Sequence, residues 1–397
     1  MTEGNGKSIR AGAPPKLYLD PNLQIMFGVT LMVLLGVLSV MPVLPELTVE
    51  LGVPERSIGL VVSLFALPGV VLAPVAGILA DRIGRKKVLV AALLIFGLFG
   101  TACGFAPDFE TLLVLRLLQG VGMAPIGVLN ATLIGDLYEG TERITAMGYV
   151  GTVLSIGTAL LPAVGGALAL LGWNYPFMLP VIAVPLALLV MFSLKNPEPH
   201  TTHAFKDYLR GALSVILTKR AIGLFSLTFL TFLLLYGPYV TYIPLLLQKK
   251  FGLSSVMVGL IVSVSSLFTG LASSQLGRLA SMYRDVSILR ASFFLFLTSM
   301  VLIPFVPGLW SFLVPLGIFG AAMGLGGPSR VTLLTGLAPA NQRAAVMAAN
   351  GMVQRFSQTV APVLMGAILA SFGMDAVFWT GAFIAICMLV VTIRAVE

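Results

Sequence analysis

Long apolar runs separated by short charged loops constrain this chain more than any other feature. A helix needs about 20 apolar residues to cross a bilayer. Windows of that size fit the sequence twelve times, near residues 23–45, 57–79, 87–106, 109–134, 145–171, 175–195, 221–247, 255–279, 287–306, 309–336, 343–371 and 375–395. The runs are continuous and not alternating, which excludes a β-barrel. Hydrophobic residues make up 58 % of the chain and charged residues 10 %, where a soluble domain carries about 25 % charge. The mean hydropathy is +1.01. The expected fold class is an all-α integral membrane protein with twelve transmembrane helices.

Orientation follows from the cations, which resist transfer across the membrane. With both termini inside, 18 of the 24 Lys and Arg residues fall in internal segments and their flanks. Three lie in the opposite loops (Arg56, Lys249, Lys250) and three within spans (Arg116, Arg330, Arg355). The expectation is a multi-pass protein of the inner or plasma membrane with cytoplasmic termini. The net charge of +8 therefore reads as a lipid-facing bias and not as a nucleic-acid surface. Residues 1–22 are polar and carry three cations, with no cleavage site after a short apolar core, so no signal peptide is expected.

The longest internal loop, 196–220, divides the chain. Its segment HAFKDYLRGALSVIL has the pattern of an amphipathic helix on the inner leaflet. An ungapped repeat at an offset of 200 supports the division: Gly52 with Gly252, Gly59 with Gly259, Gly77 with Gly277, Gly120 with Gly320, Arg143 with Arg343, Gly151 with Gly351, Pro162 with Pro362 and Gly166 with Gly366. The domains expected are a tail (1–22), a six-helix bundle (23–195), a linker (196–220) and a second six-helix bundle (221–397), pseudo-symmetric with the first.

Three motifs carry the functional reading. GILADRIGRKKVL, Gly77 to Leu89, sits between the second and third spans. Gly77, Leu79, Asp81, Arg82, Gly84, Arg85 and Lys86 match the loop motif of the major facilitator superfamily, which the chain resembles along its whole length. RLLQGVGMA, Arg116 to Ala124, is similar to the fourth-helix motif of drug/proton antiporters, with Gln119 and Gly120 in place. GTALLPAVGG resembles their fifth-helix motif, with Gly157, Pro162, Gly165 and Gly166 matching and Leu161 standing where a glycine belongs. The resemblance implies the major facilitator fold and alternating access. It implies a conformational switch at Gly77, Asp81, Arg82, Gly84 and Arg85, with Asp81 facing the eleventh helix and Arg85 pairing with Asp136. It gives Arg116 a part in proton transfer and links the fifth-helix motif to export. Solvated loop charges, an arginine snorkelling to the outer headgroups and an ordinary glycine-rich helix are the plainer readings of the same residues.

The remaining intramembrane polar residues complete the candidate pathway: Asn130, Arg330, Arg355, Gln358 and, at the outer end of the first span, Glu46. Charges within a membrane are costly and face a cavity or a partner. No Asp or Glu lies deep in any span, which turns the reading from cationic substrates towards neutral, zwitterionic or anionic ones. Aromatic and Met residues such as Phe65, Phe232, Tyr236, Tyr239, Tyr242, Met123 and Met323 belong either to a greasy cavity or to helix packing. His200 and His203 lie in the linker, and Cys103 and Cys387 in apolar runs. No enzyme, metal site or cofactor is therefore expected. The function expected is proton-coupled efflux of lipophilic drugs or small organic molecules by a monomer. Its partners are the small-molecule substrate, protons and the lipid bilayer. The alternatives are a transporter of an anionic or neutral metabolite and, more remotely, a membrane sensor or channel.

Overall fold

The computed structural model describes residues 17–195, 217–337 and 342–396. The amphipathic segment expected within 196–220 and most of the N-terminal tail lie outside these residues. Twelve helical segments follow one another: α1 (Pro21–Glu50), α2 (Leu60–Ile83), α3 (Arg85–Cys103), α4 (Phe109–Leu137), α5 (Gly140–Ala169), α6 (Tyr175–Ser193), α7 (Lys219–Phe251), α8 (Ser255–Met282), α9 (Asp285–Phe305), α10 (Leu309–Leu337), α11 (Arg343–Phe372) and α12 (Met374–Val396). No strand occurs among the described residues.

Local chemistry sets the boundaries. Asp20 and Asp108 accept backbone N–H bonds from Asn22 (2.8 Å) and Thr111 (2.7 Å) at the starts of α1 and α4, satisfying donors that a helix leaves unpaired. The Thr111 bond holds the Asp108 carboxyl below the usual carboxylate range. Gly84 alone joins α2 to α3. Its φ of 102° is a conformation that a side chain would strain. In α7 the backbone widens into a π-helical stretch, Leu235–Tyr242, around Pro238, and the Thr241 hydroxyl donates to the Tyr236 carbonyl at 2.7 Å.

Among the described residues ten helices are long and apolar enough to span a membrane, and α2 is an eleventh when its arms, Leu60–Ala73 and Val75–Ile83, are joined across a 54° bend. Together with α11 they make up the twelve helical segments that the sequence predicts. Helix α11 has the length, 30 residues, but is not among those eleven. Gln354, Arg355, Ser357 and Gln358 interrupt its apolar character. A helix of that composition suits a cavity wall better than lipid. Elsewhere the outward faces are apolar: Phe192, Phe294, Leu267 and Phe383 are all more than half exposed.

Helices α1–α6 pack mainly among themselves, as do α7–α12, and the two groups meet along two seams, α2 with α11 and α5 with α8. Without a hydrophobic force between helices in lipid, close packing relies on small residues. Gly120 of α4 lies against the Phe65 carbonyl of α2, and Gly165 of α5 against the Ser39 carbonyl of α1. Gly165→Ala should lower stability by about 1–3 kcal/mol, because a backbone carbonyl cannot rotate aside. Gly148→Ala, with nothing within 4 Å, should be neutral or gain helix propensity. Thermal unfolding of both variants in detergent checks the contrast.

Candidate functional site

The two ends of the molecule differ. One carries the Gly84 turn and the starts of α5, α9 and α11, and is here called the basic end. At the opposite end the seams are shut. A Cβ on Gly59 would lie 2.6 Å from Pro362 Cβ, and one on Gly259 would collide with the Pro162 carbonyl. Gly166 meets the Ser255 carbonyl, and Gly366 meets the Arg56 carbonyl. Each pair joins the first half to the second. Glu46 of α1 accepts a hydrogen bond from the Ser255 hydroxyl of α8 across the same closure. An exposed ion pair, Lys249 to Glu55 at 3.1 Å, adds little in such high dielectric. The fifth-helix motif has two faces: Gly157 and Gly165 pack on α1, while Pro162 and Gly166 pack on α8.

At the basic end the halves stand apart. Gly77, Gly151, Gly277 and Gly351 have nothing within 4 Å. A vestibule of about 780 Å³ opens there, with Gly77, Asp136, Arg143 and Gly351 in its walls and Gly127 and Arg355 further in. The Gly84 turn places Arg85 between two carboxylates. It bonds Asp81 at 3.1 Å and pairs with Asp136 at the end of α4, while Lys86 donates to the Leu194 carbonyl at 2.8 Å. Asp81 is more than half exposed, and Arg85 donates to it from within the same loop. Its only ion pair among the described residues is Arg85, within its own loop.

Beyond the vestibule lies a smaller chamber of about 210 Å³, enclosed by α1, α5, α7, α8 and α10. The π-helical stretch presents Tyr236 and Tyr239 to it. Tyr239 stacks on Phe319 with ring centroids 4.2 Å apart and planes 2° from parallel, and its hydroxyl is bonded to Ser265. Met323, Thr269 and Val33 complete the wall. Val33 lines both spaces, so they adjoin. Of the aromatic and Met candidates, Tyr236, Tyr239 and Met323 reach the chamber. Phe65, Met123 and Tyr242 are buried core, and Phe232 lies under the Arg330 guanidinium at 5.8 Å. The sequence marked the π-helical stretch only by its Gly237–Pro238 pair, which does not by itself predict a widened turn.

Arg116 and Asn130 of α4, Arg330 of α10 and Arg355 of α11 have different surroundings. Arg116 is 1 % exposed. It donates to the carbonyls of Val61 (3.1 Å) and Gly36 (2.8 Å) and to Gln119 Oε1 (2.7 Å), and its guanidinium lies 4.4 Å from the Phe65 ring. It ties α1, α2 and α4 together, lines neither cavity and does not snorkel. Asn130 donates to Thr30 at 2.9 Å and Arg330 to Thr231 at 2.6 Å, so each repeat mate binds a threonine on the first helix of its half. Arg355 instead crosses the gap between the halves. Its Cδ would lie 3.1 Å from a Cβ on Gly69, and its Nη2 3.3 Å from one on Gly127. It donates to Gln358 Oε1 at 3.2 Å.

Removing the Arg116 guanidinium deletes three buried hydrogen bonds, to Val61, Gly36 and Gln119, so Arg116→Met should cost about 3 kcal/mol of stability. Arg355→Gln, at a cavity wall with one side-chain bond, should cost under about 1 kcal/mol. Thermal unfolding of the two variants side by side reads the difference.

A profile of the Major Facilitator Superfamily matches residues 26–256 and 224–397. The chain is 27 % identical over 268 residues to the bacillibactin exporter of Bacillus subtilis, covering 65 % of this chain and 66 % of that protein, just under two thirds of its length. It is 24 % identical over 302 residues to the quinolone resistance protein NorA of Staphylococcus aureus, covering 75 % and 76 %. The crystal structure of a D-xylose–proton symporter superposes with a TM-score of 0.79 at 15 % identity, over 96 % of this chain and 98 % of the other. At that identity the likeness is one of fold.

Proposed function

This chain belongs to the Major Facilitator Superfamily, and from that premise we propose that it is a secondary active transporter that exports lipophilic or small organic molecules in exchange for protons. The observation that carries the proposal is the asymmetry of the two ends: one seam region shut glycine against backbone, the other apart around a vestibule that leads to an apolar chamber. A carrier working by alternating access requires such a state and its mirror image. The excess of Lys and Arg supports placing the basic end, with both termini, in the cytoplasm. On this reading the vestibule takes substrate from the cytoplasm or inner leaflet. A relative named as an exporter and one named for quinolone resistance support the outward direction.

The switch is assigned to Gly77, Asp81, Arg82, Gly84, Arg85 and Asp136. When the basic end closes, α11 comes to the open face of Gly77 and the free side of Asp81 meets it. The acid then stands near a helix N-terminus, where a carboxylate is favoured by about 0.3–1 kcal/mol. At the other end, the Glu46–Ser255 bond spans the closure and must break when it opens. Glu46 is therefore the first candidate for the exchanged proton and Asp136 the second. Exchange requires that proton and substrate favour opposite states or one shared site.

The test is proton movement in proteoliposomes under an imposed pH gradient, with lipophilic cations, neutral drugs and organic anions added in turn. Some of these compounds should discharge the gradient. Asp81→Asn should cut that flux at least about tenfold with unfolding unchanged, since its exposed pair with Arg85 is worth at most about 0.5 kcal/mol. Conductance without substrate would replace the carrier with a channel, and substrate flux without proton movement would remove the coupling.

A further inference from the structure

Arg355 is a permanent cation in the wall of the vestibule. A guanidinium does not lose its proton in proteins, and a charge at membrane depth calls for a partner. Among the described residues no carboxylate lies within ion-pair distance of Arg355, whereas Arg85 pairs with Asp81 and Asp136, and Lys249 with Glu55. The one acid in the vestibule wall, Asp136, is engaged by Arg85. Gln358 accepts one bond from Arg355, and a guanidinium has five N–H donors. The helices that face it are glycine at the contact, Gly69 and Gly127, so they offer no side chain to answer the charge. The same cavity holds a second guanidinium, Arg143.

The smaller chamber is apolar and aromatic. Val33 lines both cavities. Tyr236 lines the chamber and lies near enough to Arg355 to interact with it electrostatically. The chamber offers the stacked Tyr239–Phe319 pair, Met323 and aliphatic side chains, with Ser265, Ser266, Thr158 and Thr269 as its polar groups. It holds no ionisable acid. A cationic ligand would meet like charge with nothing to offset it, and a neutral one would leave Arg355 unanswered.

We infer that the substrate is an amphipathic organic anion whose aromatic body fills the chamber between α7, α8 and α10 and whose carboxylate, or similar singly charged group, bonds Arg355. This rests on the transporter reading above and narrows its substrate class. It has a consequence for energetics. Anion efflux coupled to proton entry moves two charges per turnover in the same electrical direction, whereas exchange of a monocation for a proton moves none.

The test titrates the full chain in nanodiscs with 2-naphthoate, its neutral amide 2-naphthamide and 2-naphthyltrimethylammonium. Naphthoate should bind most tightly. Arg355→Gln should weaken naphthoate at least about tenfold, the factor that one charge-assisted hydrogen bond represents, and Arg355→Lys should recover part of the loss. Naphthamide should bind equally to all three proteins, which reports an intact chamber. In proteoliposomes, a potassium–valinomycin potential should change naphthoate flux severalfold with its sign. Absence of naphthoate binding, preference for the ammonium compound, or unchanged naphthoate affinity in Arg355→Gln would overturn the inference. Naphthoate held by Arg355 but never carried across would remove the efflux reading and keep the anion site. Efflux of cations without naphthoate binding would do the reverse.

Discussion

Backbone-to-backbone approach at glycine is the interaction on which the arrangement of the two halves depends. Lipid is as apolar as leucine, so helices in a membrane gain nothing from hiding apolar side chains from one another and must gain from fit. Gly59 against Pro362 and Gly259 against Pro162 are the same contact made twice, once on each seam, at an offset of 200 residues. Gly166 and Gly366 repeat the pattern a turn away. Two further repeat-related pairs, Gly77 with Gly277 and Gly151 with Gly351, face open space. One residue type thus lines both a closed end and an open end, and the repeat gives both seams the same contacts.

The arginines show how one side chain serves opposite ends. Arg116 has its donors spent on carbonyls and Gln119, with aromatic rings around it. It acts as a cross-brace within the first half. Arg355 carries the same charge further along α2 and α4, beside Gly69 and Gly127, with glycines around it and a cavity in front. The difference lies in what the neighbouring helices present. It makes the first a structural group and the second a group with binding capacity to spare.

Much of this was legible in the sequence. The apolar windows predicted helices close to those observed, because span length is set by the bilayer and is independent of partners. The Gly84 turn followed from a glycine between two helical runs. What escaped was whatever depends on the other half of the chain. Arg116 and Arg355 look alike as letters, since each is a cation in an apolar run, and only the facing helices separate them. The chamber was invisible because Gly237 and Pro238 announce a bend but not a π-helical turn that swings Tyr236 and Tyr239 inward. The polar residues Gln354, Arg355, Ser357 and Gln358 of α11 were visible as letters, and only the cavity shows that Gln354 and Arg355 stand in its wall.

The central claim is that the closed end and the open end exchange. The most direct measurement is of electron–electron distances between spin labels in a variant lacking Cys103 and Cys387. One pair, at Ile144 and Met282, spans the basic end, and the other, at Val49 and Trp310, spans the opposite end. All four side chains are more than half exposed. The account predicts that a change of pH or addition of substrate shortens the first distance and lengthens the second in the same molecules. Distances that stay fixed at both ends, or that move in the same direction, would contradict it.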